Sequence, residues 1–157
     1  MKLAVEFPAV SYREGPAQVA RMAKGVEDIG YDQLDIYDHV IMGHDIEGRD
    51  KSYYTAKMPV LEAVAMLSFA AAVTERIGLG TEVLVLPQLQ PALVAKQFST
   101  LDLLSGCRAR LGVGVGWQAS DFDALDEDCF LYTADDADAT HWVNHGGWPT
   151  SKLKNLA

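Results

Sequence analysis

The sequence predicts an α/β fold with a parallel sheet, assembled from about four strand–helix units. Three observations predict it. Apolar runs of strand length recur at residues 3–7, 33–37, 77–86 and 109–116. The segments between them place apolar residues three and four apart, the period of a helix with one buried face. The strands themselves are apolar almost throughout, as in sheets covered on both sides. Strand and helix alternating in this way is the pattern of right-handed βαβ units. The pattern alone permits two closures, an open doubly wound sheet or a (β/α)8 barrel.

The first strand is read at Leu3–Phe7. Gly15-Pro16 opens a helix, since proline is tolerated at the first helical position. Val19, Met22, Ala23, Val26 and Ile29 form its apolar face, and Gly30 fits the position just past its end. Gln33–Tyr37 is the second strand and delivers Asp38-His39 at its carboxyl end. Residues 40–58 form a polar loop with Gly43, Gly48 and a charge cluster, longer than most connections, as functional loops often are. Met58-Pro59 begins a second helix, apolar on most sides, which ends at Thr74-Glu75-Arg76. Ile77–Leu86 is the third strand. Pro91–Leu104 is the third helix, terminated by Ser105-Gly106, and Ala109–Gly116 is the fourth strand. Residues 1–125 thus read as one domain. No further strand–helix unit is expected in 126–157, a divergent tail expected to be poorly ordered.

A net charge of −9 repels phosphate at long range, which argues against nucleic acid or an anionic membrane as partner. Cys107 and Cys129 match neither a zinc spacing nor a redox pair and read as free thiols of a reducing cytoplasm. The chain starts directly on an apolar strand, so no signal peptide is expected. The longest apolar stretch, 60–73, carries Glu62 and Ser68 and is too short to span a bilayer. These features point to a cytoplasmic protein acting on a small molecule.

Asp38-His39 stands where parallel α/β folds bind ligands, and a histidine there can exchange a proton near neutral pH. A loop-capping pair would look the same. Gly112, Gly114 and Gly116 alternate within a strand, so they are no dinucleotide-binding turn. They leave room on one face, either for a planar ring or for close packing. Glu82 interrupts an apolar strand. The strand either bulges and turns it outward or offers it to a polar site. His141 and His145 lie four apart, but the glycines beside them argue against a helix and no third ligand is evident. No metal is expected.

The segments PVLEA (59–63) and VTERIGLGTEVLVLP (73–87) resemble the core pattern of luciferase-like monooxygenases. PALVAKQ (91–97), TLDLLSG (100–106) and RLGVGVGW (110–117) resemble the next block of that family, and Asp38-His39 after the second strand matches too. The resemblance covers about residues 1–125 and favours the subgroup of coenzyme F420-dependent oxidoreductases. It implies a (β/α)8 TIM barrel, here as a half-barrel of about four units, with the coenzyme at the carboxyl ends of the strands. It implies His39 as the catalytic, ring-facing histidine with Asp38 at the cofactor. It further implies Thr81, Glu82 and Val83 at a third-strand bulge where relatives often carry a non-proline cis peptide. Val115, Gly116 and Trp117 would line the same site.

Two residues depart from the family pattern. Cys107 replaces a usual glycine, and Trp117 stands where sugar-phosphate dehydrogenases of the family carry a catalytic glutamate, which argues against that substrate. After Leu125 the text ceases to resemble the family, as in a truncated gene. The resemblance therefore implies an oxidoreductase or monooxygenase that moves hydride between coenzyme F420, or alternatively FMN, and an organic substrate. The rival reading is a catalytically inactive fragment that binds cofactor weakly at most and associates with itself.

Overall fold

The computed structural model describes residues 1–9, 14–44, 47, 54 and 57–126. The tail from 127 on, with Cys129, His141 and His145, lies outside the described residues. Four strands form the main sheet: β1 (Ala4–Glu6), β2 (Gln33–Ile36), β3 (Gly78–Thr81) and β5 (Ala109–Arg110). They lie in the order β1-β2-β3-β5, every pair parallel. A second ladder continues the last two, β4 (Leu84–Val85) against β6 (Val113–Gly114), also parallel. Each strand therefore neighbours its predecessor in sequence. A doubly wound sheet reverses its strand order partway and places helices on both faces. Sequential parallel order is barrel winding, with the connecting helices on one side.

Those helices are α1 (Pro16–Ile29), α2 (Ala63–Val73) and α3 (Pro91–Ser105), with α1 packed on α2 and α2 on α3. Gly30 and Gly106 close α1 and α3 in the left-handed conformation. The core lies between sheet and helices. Leu34, Ile36, Ile77 and Leu79 meet Val19 and Ala23 of α1, Met66, Leu67 and Ala70 of α2, and Val94, Phe98 and Leu101 of α3. Helix α2 starts later than residue 59, because the Glu62 carboxylate accepts from the N–H groups of Val64 and Ala65 and sets the helix start there.

The opposite sheet face is polar. The Asp35 carboxylate is fully buried, accepting from Arg110 Nη2 at 2.6 Å and Gln33 Nε2 at 2.9 Å. It lies over Gly80, where any Cβ would strike it. At the far end of the strands, Arg108 donates to the carbonyls of Ala71, Thr74 and Ile77, satisfying the open end of α2. The buried Glu27 carboxylate accepts from the N–H groups of Glu75 and Arg76.

The third strand does not run unbroken to Leu86. Between the Gly80–Arg110 and Leu84–Val113 pairs the register offset falls by one, so the third strand holds one extra residue. That is a β-bulge, and the Glu82–Val83 peptide within it is cis. The Thr81 hydroxyl bridges the gap, donating to the Gly112 carbonyl at 2.8 Å and accepting from its N–H at 3.0 Å. Glu82 is exposed, so the bulge keeps the charge in contact with solvent and no carboxylate is buried in the apolar strand.

The protein itself fills the space beside the alternating glycines. A Cβ on Gly112 would collide with the Thr81 carbonyl oxygen; on Gly114 it would lie 2.5 Å from Val83 Cγ2, and on Gly116 2.6 Å from Val85 Cγ1 and 2.8 Å from the Phe122 ring. Close packing of the fourth strand on the third is thus their structural reason. Gly112→Ala, meeting backbone that cannot step aside, is expected to destabilise the fold by about 3 kcal/mol, the upper range for overpacking. Chemical denaturation would show it as a lower midpoint; an unchanged midpoint would mean the two strands can spread.

Cys107, in the position where the family pattern has glycine, adopts φ 65°, the left-handed region that glycine enters most easily. A short helix, α4 (Ala119–Leu125), follows the fourth strand. Its seven residues hold too few apolar positions for a periodicity argument. What holds it is tertiary, namely the buried side chains of Asp121 and Phe122.

Candidate active site

The carboxyl ends of the strands surround a cavity of about 420 Å³, within the range of small-molecule sites. It is lined by residues from four stretches: Tyr37, Asp38 and His39 at the end of β2; Glu82 and Val83 in the bulge with Val85 and Gln88 after it; Gly114 to Gln118 along and beyond β6; and Asp121 and Phe122 of α4. Tyr54 joins them from the loop before α2. Of the residues the sequence singles out, Asp38, His39, Glu82, Val83, Val115, Gly116 and Trp117 come together here. Thr81 does not; it is buried behind the cavity with its hydroxyl engaged by Gly112.

β2 explains the placement of His39. Side chains alternate along a strand, so with Leu34 and Ile36 in the core, Gln33 and Asp35 take the other face, and Tyr37 and His39 continue it. The His39 ring meets Tyr54 edge-on at 5.0 Å between centroids, and lies 6.2 Å from Tyr37 and 6.5 Å from Trp117. Tyr37 and Tyr54 stack at 5.8 Å. His39 Nδ1 lies 2.7 Å from Asp121 Oδ2. The other Asp121 oxygen accepts from Gly43 N–H at 2.9 Å and from Gln118 Nε2 at 2.6 Å. Asp121, Gln118, Tyr54, Tyr37 and Gln88 carry no local sequence pattern that marks them. Asp121 reads as one acid in an acidic stretch, and Tyr54 as part of a polar loop.

Asp38 is 6% exposed, and the Ala63 N–H is a distant 3.4 Å from its carboxylate. Burial pushes its carboxyl up to about 6 from the ordinary 3.8, and the Glu62 charge adds to this against the lowering effect of the backbone N–H groups and His39. The folded state thus holds this proton more tightly than the unfolded chain. Stability is greatest below the ordinary value and falls as pH rises through about 6, by about 3 kcal/mol in all. Asp38→Asn removes the ionisation. It is expected to match the native chain near pH 4 and to exceed it by up to about 3 kcal/mol near pH 8. Urea midpoints at the two pH values would test this, and a difference that does not change with pH would refute it.

The Tyr37 hydroxyl and the Gln88 carbonyl oxygen are buried without a hydrogen-bond partner among the described residues, although both side chains line the cavity. A buried polar atom left unpaired costs about 1–3 kcal/mol. A ligand that supplied partners would recover it. The aromatic rings, the apolar Val83 and Val115, and these two atoms together suit a flat, mostly apolar ring with a polar edge.

Among the described residues no helix is long and apolar enough to cross a membrane. Comparison with known proteins supplies the family. The model of the luciferase-like monooxygenase family matches residues 2–139, past Leu125. An F420-dependent glucose-6-phosphate dehydrogenase of Kineococcus radiotolerans is 34% identical over 116 residues, 73% of this chain and 31% of the relative. Among solved structures, the coenzyme F420 dependent tetrahydromethanopterin reductase of Methanopyrus kandleri superposes with a TM-score of 0.58 at 26% identity, over 80% of this chain and 30% of that one. The oxygenating constituent of 3,6-diketocamphane monooxygenase from Pseudomonas putida, solved in complex with FMN, gives 0.62 at 19% identity, over 80% and 32%, a likeness of fold alone. The chain thus spans about a third of the length of the proteins it matches. With sequential parallel strands, helices on one side and the cavity at the strands' carboxyl ends, the chain belongs to the luciferase-like monooxygenase family.

Proposed function

We propose that this chain carries the ring-binding part of an oxidoreductase that transfers hydride between coenzyme F420, or alternatively FMN, and an organic substrate. The observation that carries the reading is the convergence of His39, the 82–83 bulge and the Gly114–Trp117 segment on one cavity. The relatives that use coenzyme F420 or FMN support it. The bound cofactor would supply the hydride chemistry. Val83 and Val115 would hold the flat ring by apolar contact, Tyr37 and Gln88 would meet its polar edge, and Trp117 would close the mouth. His39 would hold or release the proton that accompanies hydride transfer, and Asp38 would shape the floor beside it. Trp117, standing where sugar-phosphate dehydrogenases of the family carry a glutamate, favours a substrate other than a sugar phosphate. An exposed thiol at Cys107 suits the reducing cytoplasm.

The exposed apolar face of the fourth strand favours a second reading for a polypeptide of these residues alone, a self-associating half-barrel that binds cofactor weakly. The phosphate-gripping loops of such barrels commonly follow strands seven and eight. Fluorescence titration with coenzyme F420 and with FMN, together with a turnover assay, separates the readings. Saturable binding of one cofactor with turnover supports the oxidoreductase. Binding of neither removes it, and weak binding without turnover favours the half-barrel.

A further inference from the structure

The chain of hydrogen bonds behind His39 has a direction. It starts at two backbone N–H groups, which can only donate. Tyr54 N–H donates to Gln118 Oε1 at 3.2 Å. This orients the Gln118 amide, so its Nε2 donates to Asp121 Oδ1 at 2.6 Å. Gly43 N–H donates to the same oxygen at 2.9 Å. The Ser120 hydroxyl adds a longer bond to it at 3.4 Å, so the Oδ1 of Asp121, a residue 1% exposed, accepts three times over. Its Oδ2, 2.7 Å from His39 Nδ1, is the oxygen left to accept the ring's proton.

We propose that Asp121 is a positioning residue that holds neutral His39 in the Nδ1–H tautomer and so presents a bare Nε2 to the cavity as a proton acceptor. An imidazole left to water favours the opposite tautomer, with the proton on Nε2, so the network reverses the ring's intrinsic choice. Which nitrogen bears the proton is set by the partner of the other one. The pairing joins residues 82 apart in sequence, across the end of β2 and the first turn of α4. It also ties the segment bearing Gly43 to α4, where a Cβ on that glycine would strike Ser120. The role in turnover rests on the oxidoreductase reading above; the tautomer does not.

Asp121→Asn separates positioning from packing. Its single oxygen must stay with Gly43 N–H, Gln118 Nε2 and the Ser120 hydroxyl, the donors that fix it. The amide NH2 then faces His39 Nδ1, which must accept, and the proton moves to Nε2. Shape and loop anchoring are kept. The test is nitrogen-15 NMR of the imidazoles in the full chain at a pH where they are neutral, with the His39 signals identified by their loss in His39→Gln. The native chain is expected to show a protonated Nδ1 and a bare Nε2, and the Asn variant the reverse. The native spectrum alone is decisive should the variant not fold, because Nε2–H in the native chain overturns the proposal. So does the same tautomer in both proteins. In turnover, the Asn variant is expected to lose roughly 10²-fold or more in kcat, with KM little changed. Full activity in a variant whose tautomer has flipped also overturns it. A native chain that binds neither cofactor, yet shows the two tautomers as stated, sinks the oxidoreductase reading and leaves Asp121 in its role toward His39.

Discussion

His39→Ala is expected to lower cofactor-dependent turnover by roughly 10²- to 10⁴-fold, the usual contribution of a positioned acid or base, while the chain stays folded. The folded state should survive because His39 lies at the cavity edge of β2 and takes no part in the core formed by Leu34, Ile36 and Leu79. The ring's losses are its contacts with Tyr37, Tyr54 and Trp117 and the Asp121 bond. Removing it leaves Asp121 with one oxygen unpaired, a cost that water entering the vacated space can offset. Steady-state kinetics and a thermal melt, run together on the native and variant proteins, measure both sides. A variant that keeps native turnover would remove His39 from the reaction. One that unfolds would mean the ring is part of the structure's support.

A polypeptide of residues 1–157 is expected to associate with itself. Gly112 and Gly114 of the fourth strand pack against the third, and the apolar Leu111 and Val113 beside them are exposed. These two are 43% and 49% exposed. Among the described residues no strand pairs with the outer edge of β5 or β6. An apolar row beside an open strand edge is the combination that drives edge-to-edge contact. A second copy would satisfy both at once. Sedimentation or light scattering over a range of concentrations should show a dimer or larger species. Leu111→Glu with Val113→Glu should shift the distribution to monomer, since each places a charge where the contact would bury it. A native chain that is monomeric at every concentration would end this expectation.

The strand–helix alternation was legible in the sequence because its causes are local. The apolar face of α1 repeats at helical spacing, Pro16 and Gly30 mark its ends, and the apolar residues of each strand-length run need no partner to be recognised, although the structure shows one sheet face to be polar, with Gln33, Asp35 and Arg110 on it. The position of Asp38-His39 at the end of β2, beside the cavity, was legible for the same reason. The barrel closure was not legible in the pattern. Strand order is a relation between segments, and the order β1-β2-β3-β5 excludes the doubly wound alternative that the pattern leaves open. Nor could the role of the three glycines be read. Their alternation shows that one face lacks side chains, but only the register of the fourth strand on the third shows that Thr81, Val83, Val85 and Phe122 fill the space.

By itself, then, the sequence determined the α/β alternation, the family pattern and the strand ends that carry the candidate site, all of which are read along the chain without knowing which distant segments meet. Only the tertiary structure decided which side chains complete that site. Asp121 sits in an acidic stretch like its neighbours, and nothing in its surroundings separates it from Asp123 or Asp126. It becomes particular because α4 folds back over the end of β2 and sets one buried carboxylate against His39 Nδ1 and Gly43 N–H together. Burial and hydrogen-bond direction belong to that juxtaposition of distant segments, so no reading of local order along the chain contains them.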